Sequence, residues 1–267
     1  MAIDCMHEPR RQRERWDQIA IKFPDLFPAA STQYYREREI ELLGRTVELL
    51  NGKRVLKLDL WNEAVNTRIL HWMSAAGATC HGLDVSHVTA SRAKAGTNGF
   101  TVIQADMRHV PFRDRSFDLV YTIGTLEHIE EYREALREIF RVLKPGGLII
   151  AGVPYKWDPF LRPVLVSLLD AVGKYPYSPE KSFGQREFAQ IVESVGYRVK
   201  EQTGLLAFPG LIRLMELFLL RRKVKWPSLF SLLLTPFGRL EARYAWYRAK
   251  GYLLVVVAEK PGPVTPL

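Results

Sequence analysis

With 267 residues, 47% hydrophobic and 25% charged, the chain can form one large domain, or one domain with an added lobe, around a substantial core. Its two cysteines, Cys5 and Cys80, lie far apart without paired spacing. That argues against a disulfide framework or a zinc site and fits a reducing cytoplasm. The formal charge of +9 is unevenly placed: residues 205–250 hold nine Lys or Arg against two Glu, whereas residues 51–155 hold thirteen basic against eleven acidic residues.

In chain order, the opening MAIDCMHEPRRQRERW has no apolar core of the secretory type. Residues 8–50 read as a helical cap, with Trp16, Ile19, Ala20 and Phe23 on one stripe, Pro24 and Pro28 as breaks, and a second helix over 34–50. KRVLKLDL at 53–60 reads as a first strand, 61–67 as a loop without glycine, 68–76 as a helix and 78–86 as a second strand with its exit. Residues 102–105 make a third strand. Two apolar runs, 118–123 and 148–153, then flank an amphipathic helix whose stripe is Tyr132, Leu136, Ile139, Phe140 and Leu143. On its outer face Glu134 and Glu138 each precede an arginine by three residues. Pro145-Gly146-Gly147 ends that helix. Strand, helix and strand at this length predict a βαβ crossover in a parallel sheet, which places ligands at the carboxyl ends of its strands.

Beyond Pro154 the chain is apolar with prolines, has a rigid loop at 175–179, a helix at 188–196 and a strand at 197–203. Residues 205–225 are apolar but interrupted by Arg213 and Glu216, too short and too charged to span a bilayer. Residues 226–237 are apolar again, basic residues follow, LLVVVAE at 253–259 is a final strand, and 261–267 is a loose tail. The organisation expected is therefore a cap (1–50), a cofactor-binding core (51–155) and the rest of the sheet (156–260), with a helical insertion at about 205–250 on the acceptor side.

Five pieces, in order, carry a family resemblance: Ala105-Asp106-Met107, Pro111-Phe112, Ser116-Phe117-Asp118, Leu126-Glu127-His128-Ile129 and Leu143-Lys144-Pro145-Gly146-Gly147. Together they resemble the class I S-adenosylmethionine-dependent methyltransferases, in particular the small-molecule enzymes related to ubiquinone biosynthesis. The resemblance implies a doubly wound α/β fold with a mostly parallel sheet (Rossmann-like), S-adenosylmethionine as cofactor, and methyl transfer to a small or lipid-like acceptor at oxygen or carbon. In this family the first strand runs into a glycine-rich loop of the VLDLGCGTG type. Here that loop is WNEAVNT, with several extra residues before the next helix. It can supply Asp59, Asn62 or Glu63 as polar contacts, or it can fill the pocket. The alternative function is a noncatalytic protein of the same fold with an occluded pocket, acting in binding or as a scaffold.

Candidate donor contacts are Asp84 for the ribose hydroxyls and Gly124 for the sulfonium end, with Thr122 as a further cofactor contact, and the resemblance implies Asp106 and Met107 for the adenine. Asp84 can instead cap the next helix, although Ser86 is the better cap. Asp106 and Met107 can instead be a turn residue and a core methionine. Glu127 and His128 are the acid and base candidates; alternatively Glu127 complements a helix start and His128 packs under the cap. Trp16, Tyr34 and Tyr35 either touch ligand or pack the cap onto the sheet. No metal is expected. The apolar, Arg- and Lys-edged segment at 205–250 suits an anionic membrane surface from the cytoplasmic side, with a lid or a homodimer surface as alternatives. Its cations are interleaved with leucines rather than aromatics, which argues against nucleic acid.

Overall fold

The computed structural model describes residues 2–96, 99–173, 175, 177, 180–224 and 226–262. The chain runs α1 (Ala2–Lys22), α2 (Ala30–Thr46), β1 (Arg54–Leu58), α3 (Trp61–Val65), α4 (Ile69–Ala75), β2 (Thr79–Asp84), α5 (His87–Ala95), β3 (Phe100–Gln104) and β4 (Phe117–Ile123). A 3-10 turn (Leu126–His128), α6 (Tyr132–Val142), β5 (Leu143–Pro154), α7 (Arg162–Ala171), α8 (Gln185–Ser194) and β6 (Arg198–Leu205) follow. The last elements are α9 (Gly210–Arg221), α10 (Pro227–Arg243), α11 (Ala245–Arg248) and β7 (Leu253–Glu259).

The strands form one seven-stranded sheet in the order β3-β2-β1-β4-β5-β7-β6. β1 to β5 are parallel, and β7 runs antiparallel to both β5 and β6. This is the doubly wound α/β architecture expected from the sequence. The inner strands are continuous apolar runs because helices cover both faces. On one face Leu136, Ile139, Phe188 and Val192 pack on Val120 and Val256. On the other, Leu42, Leu43, Leu70 and Met73 pack on Val55 and Val257. The outer strand β6 alternates exposed and part-buried residues along its first half, as an edge strand does.

Several elements differ from the sequence reading for local reasons. The stretch expected as a loop at 61–67 begins with the short helix α3. Its first turn is closed by Asp59, whose Oδ1 accepts the Trp61 N–H at 2.6 Å. The α6 stripe is Ala135, Leu136, Ile139 and Val142; Leu143 already belongs to β5 and pairs with Phe117, so the helix ends before the Pro-Gly-Gly turn. α1 begins well before residue 8, and Phe23 lies beyond its end. The expected 175–179 loop and the tail fall partly outside the described residues, at 176, 178–179 and 263–267.

The second helix starts at Ala30, four residues earlier than expected, and its N-cap residue Ala29 has no side chain to serve as a cap. Glu216 of α9 does this from a distance: its two oxygens accept the N–H groups of Ala30 at 2.6 Å and Ser31 at 2.9 Å. Arg213 of the same helix donates to Ser31 Oγ and Thr32 Oγ1. The insertion between β6 and β7 therefore locks onto the N-terminal region. It leaves the sheet at the carboxyl edge, since Leu205 of β6 and Pro154 of β5 both pair with Leu253. Replacing Glu216 by Ala should lower stability by about 1–2 kcal/mol, the scale of a lost cap. Urea denaturation checks this, and an unchanged midpoint would show that α2 needs no cap from α9.

Candidate active site

A cavity of about 280 Å³ opens at the carboxyl ends of β1, β2 and β4. It divides into a half lined by β-strand ends and an apolar half lined by α7 and α9.

In the first half, β1 carries Lys57, whose side chain is fully buried. Its ammonium donates to the Asp59 carbonyl at 2.5 Å and lies 3.6 Å from Asp59 Oδ2 and 3.8 Å from Glu63 Oε1. Burial opposes this charge, but Asp59, Glu63, Glu39 and Asp84 together raise the Lys57 pKa above its usual value. Asp59 has φ of 90°, a backbone conformation suited to glycine. The residue adopts it just before the glycine-free loop, held by its own carboxylate and by Lys57. Trp61 lines the cavity and packs edge-on against Phe23, with ring centroids 4.9 Å apart. The loop therefore narrows the pocket without closing it.

Asp84 lies at the end of β2 on the cavity wall. Its Oδ2 accepts the Leu60 N–H at 2.8 Å and its Oδ1 the Ser86 N–H at 2.7 Å, which leaves a lone pair on each oxygen. Burial, then the neighbouring Asp59, pushes its carboxyl up to about 7. The helix cap is Ser86, whose Oγ accepts the Thr89 N–H at 3.0 Å. Ser86 also donates to Asp17 of α1, and Asp17 accepts the Val88 N–H as well, which fastens α1 over this end of the cavity.

The remaining sequence candidates sort by where their side chains point. Asp59, Asn62, Met107, Gly124, Glu127, His128, Trp16 and Tyr35 stand on the wall with Asp84. Asp106 lines it too, but both its oxygens accept from the Arg108 guanidinium, which also reaches Glu131 and Gln12. Burial raises the Asp106 pKa, yet the hydrogen bonds and charge of Arg108 prevail and hold it below the usual carboxylate range. Glu63 is not on the wall: α3 turns it inward to Lys57 and the Leu70 N–H. Thr122 points into the sheet's packing, and Tyr34 is drawn away to Phe208 and Arg38 beneath the insertion.

Gly124 has φ of 82°, and an added Cβ would meet only Glu127 Oε1 at 3.8 Å, so glycine is required by conformation rather than by space. Glu127 is buried beside it, and its Oε2 has no hydrogen-bond partner among the described residues. Burial lifts its carboxyl well above the ordinary range; the Glu127 backbone amide opposes this, Glu180 adds to it and Arg162 opposes it. Burial therefore favours the protonated form of Glu127. His128 Nε2 lies 4.0 Å from Glu127 Oε1, and the ring meets Trp16 edge-on at 5.0 Å.

Sequence reasoning passed over Arg162, Tyr175, Glu180 and Tyr252. Arg162 Nη1 donates to Glu180 Oε1 at 2.7 Å, and its guanidinium lies 3.6 Å over the Tyr252 ring. The Tyr175 hydroxyl donates to Glu180 Oε2 at 2.5 Å. The available signal was an arginine inside the apolar run at 157–173, preceded by Asp158, which accepts the N–H groups of Phe160 and Arg162. Among the described residues no group of three or more His, Cys, Asp or Glu side chains is placed to hold a metal.

Residues 64–151 match the family described as "Methyltransferase domain". A 24-methylenesterol C-methyltransferase 2 of Oryza sativa subsp. japonica is 30% identical over 151 residues, 52% of this chain and 39% of that protein. The ubiquinone/menaquinone biosynthesis C-methyltransferase UbiE of Bartonella quintana is 39% identical over 77 residues, 27% of this chain and 29% of that protein. The chain thus spans well under two thirds of these relatives. An S-adenosylmethionine-dependent methyltransferase structure from Mesorhizobium loti superposes with a TM-score of 0.57 at 17% identity, covering 83% of this chain and 97% of that one. By sequence match over residues 64–151 and by fold, the chain is similar to the class I S-adenosylmethionine-dependent methyltransferases.

This class implies S-adenosylmethionine as cofactor, and the donor half of the cavity fits it. The two free lone pairs of Asp84 suit a ribose diol, Met107 offers an apolar surface for a base, and Gly124 lets backbone approach closely. Asp84 ionises as pH rises through about 7, and its carboxylate is the stronger acceptor. Affinity for S-adenosylmethionine or its demethylated product should therefore climb through that pH and flatten above it. Asp84→Asn should remove the climb and weaken binding by about 1.5–3 kcal/mol. Calorimetry across pH checks both, and an identical profile in the variant would place the donor elsewhere.

Proposed function

We propose that the chain is a methyltransferase using S-adenosylmethionine on a small or lipid-like acceptor, at oxygen or carbon. The observation that supports this is the continuity of one cavity, from Asp84 and Gly124 at the strand ends to Leu165, Leu169 and Leu217 of α7 and α9. A polar donor and an apolar acceptor can meet there. The C-methyltransferase names of the sterol and quinone relatives favour carbon and an apolar ring acceptor.

When bound, the cofactor supplies a methyl group already activated on a sulfonium, so the protein's task is placement and exclusion of water. Trp16 and Tyr35 cover the donor half, and Trp61 narrows it. Glu127, whose carboxyl burial pushes above the ordinary range, is the candidate to hydrogen-bond an acceptor oxygen and so orient it. His128, beside it, is the candidate to receive a proton from the acceptor. Arg162, braced by Glu180, lines the same cavity and can hold an oxygen of the acceptor's polar end. The reading places the protein in the cytoplasm; among the described residues no helix is long and apolar enough to cross a membrane.

One observation favours a second reading, a noncatalytic protein of the same fold: the glycine-free stretch at 61–67 stands where the family has its glycine-rich loop, and Trp61 lines the cavity. Calorimetry and thermal shift with millimolar S-adenosylmethionine separate the two. Binding supports the enzyme, and the absence of both heat and shift supports the binding protein. For the enzyme, Glu127→Gln should preserve donor affinity while lowering kcat on the order of 10²-fold. Steady-state kinetics with sterol and quinol acceptors reads this, and an unaltered kcat removes Glu127 from the chemistry.

A further inference from the structure

We propose that the outward face of α7, α9 and α10 rests on an anionic lipid bilayer, and that the cavity opens into that bilayer between α7 and α9. The attachment rests on the face itself; lateral passage of an apolar acceptor rests on the methyltransferase reading.

The face is apolar where a water-facing surface should be polar. α7 has no buried residue at all. Its inner side chains line the cavity, while Val164, Leu168 and the following Val172 are exposed in one stripe. α9 repeats the pattern with Leu211, Met215 and Phe218, and α10 with Leu229, Leu232 and Leu233. The three helices adjoin. An added Cβ at Gly210 of α9 would meet Arg162 of α7 at 3.8 Å, and Phe160 before α7 meets Phe237 of α10 with centroids 6.3 Å apart. Apolar residues spread over three neighbouring helices exceed the scattered exposure of ordinary surfaces and call for an apolar partner.

Charge selects the partner. The two carboxylates of residues 205–250, Glu216 and Glu241, are both buried and accept backbone N–H groups of Ala30, Ser31 and Ala207. The exposed charges described there are all positive: Arg221 at the end of α9, Arg222 and Lys223 after it, then Arg239, Arg243 and Lys250. Arg222 lies 4.2 Å over the Phe218 ring, so cation and apolar stripe are contiguous. A second copy would bring two such surfaces together against like-charge repulsion, whereas anionic headgroups above acyl chains match both the cations and the stripes. The route inward is Leu214, which is 41% exposed on this face and also lines the cavity.

Flotation with phosphatidylcholine vesicles, with and without phosphatidylglycerol, tests the proposal without any methyl transfer. The protein should float with anionic vesicles at low salt and less so at high salt. The triple variant Arg221→Glu, Arg222→Glu, Lys223→Glu should lose partitioning on the order of a hundredfold. Leu168→Gln with Leu232→Gln, both outside the cavity, should weaken flotation at either salt while leaving the thermal melt unchanged. Failure of the wild type to float with anionic vesicles overturns the proposal. So does a dimer, by light scattering, that the Leu168→Gln, Leu232→Gln variant converts to monomer. Calorimetry of the donor reports separately on the methyltransferase reading.

Discussion

A lysine in the middle of a parallel sheet sets the terms for everything around it. The Lys57 side chain is fully buried on β1, and an ammonium taken out of water must be neutralised locally. The chain meets that demand with carboxylates from three elements: Asp59 and Glu63 after β1, Asp84 at the end of β2 and Glu39 from α2. Glu39 is in turn held by the Tyr121 hydroxyl of β4 at 2.7 Å. One charge thus ties two helices and three strands together. It also accounts for the conformation of Asp59 and for the inward turn of Glu63. Removing one partner of such a set is costlier than replacing the set by apolar side chains, because it leaves the rest charged and dry.

The same network shapes the cavity. A glycine loop presents bare backbone; here a carboxylate fills that role for the α3 N-terminus, and Trp61 adds bulk beside it. Asp59, Asp84 and Trp61 therefore line the strand-end half of the cavity together. Glu127 and the Arg162–Glu180 pair line the same cavity as the leucines of α7 and α9. Methyl transfer tolerates this, since the reaction depends on alignment more than on any single side chain.

Much of the sheet was legible in the sequence because its signals are local. The runs at 118–123 and 148–153 and the stripe of α6 need no knowledge of distant partners. The misses have the opposite character. α3 is closed by a side chain at an atypical φ; α2 starts at a residue with no capping group; and Asp106 reads as a free carboxylate until Arg108 is seen on it. Arg162 and Glu180 are separated by 18 residues, part of them an apolar helix, and nothing in either neighbourhood announces the other. Thr122 and Gly124 look equally suitable in one dimension, but β4 ends at Ile123, so Thr122 is still packed within the sheet while Gly124 has left it for the cavity wall.

The bond between Glu216 and the start of α2 joins residues 186 apart in sequence. During synthesis the N-terminal helices emerge long before their cap exists, at a time when the first turn of α2 has four unsatisfied amides. β7, the strand that joins β6 to the rest of the sheet, also emerges late. Nascent chains therefore hold the first half in an unfinished state, exposing the faces that α9 and α10 will cover. Such long-range closure slows folding and lengthens the interval in which apolar surface is open to other chains. The architecture that lets the insertion embrace the cap thus delays the completion of the cavity until nearly the whole chain has been made.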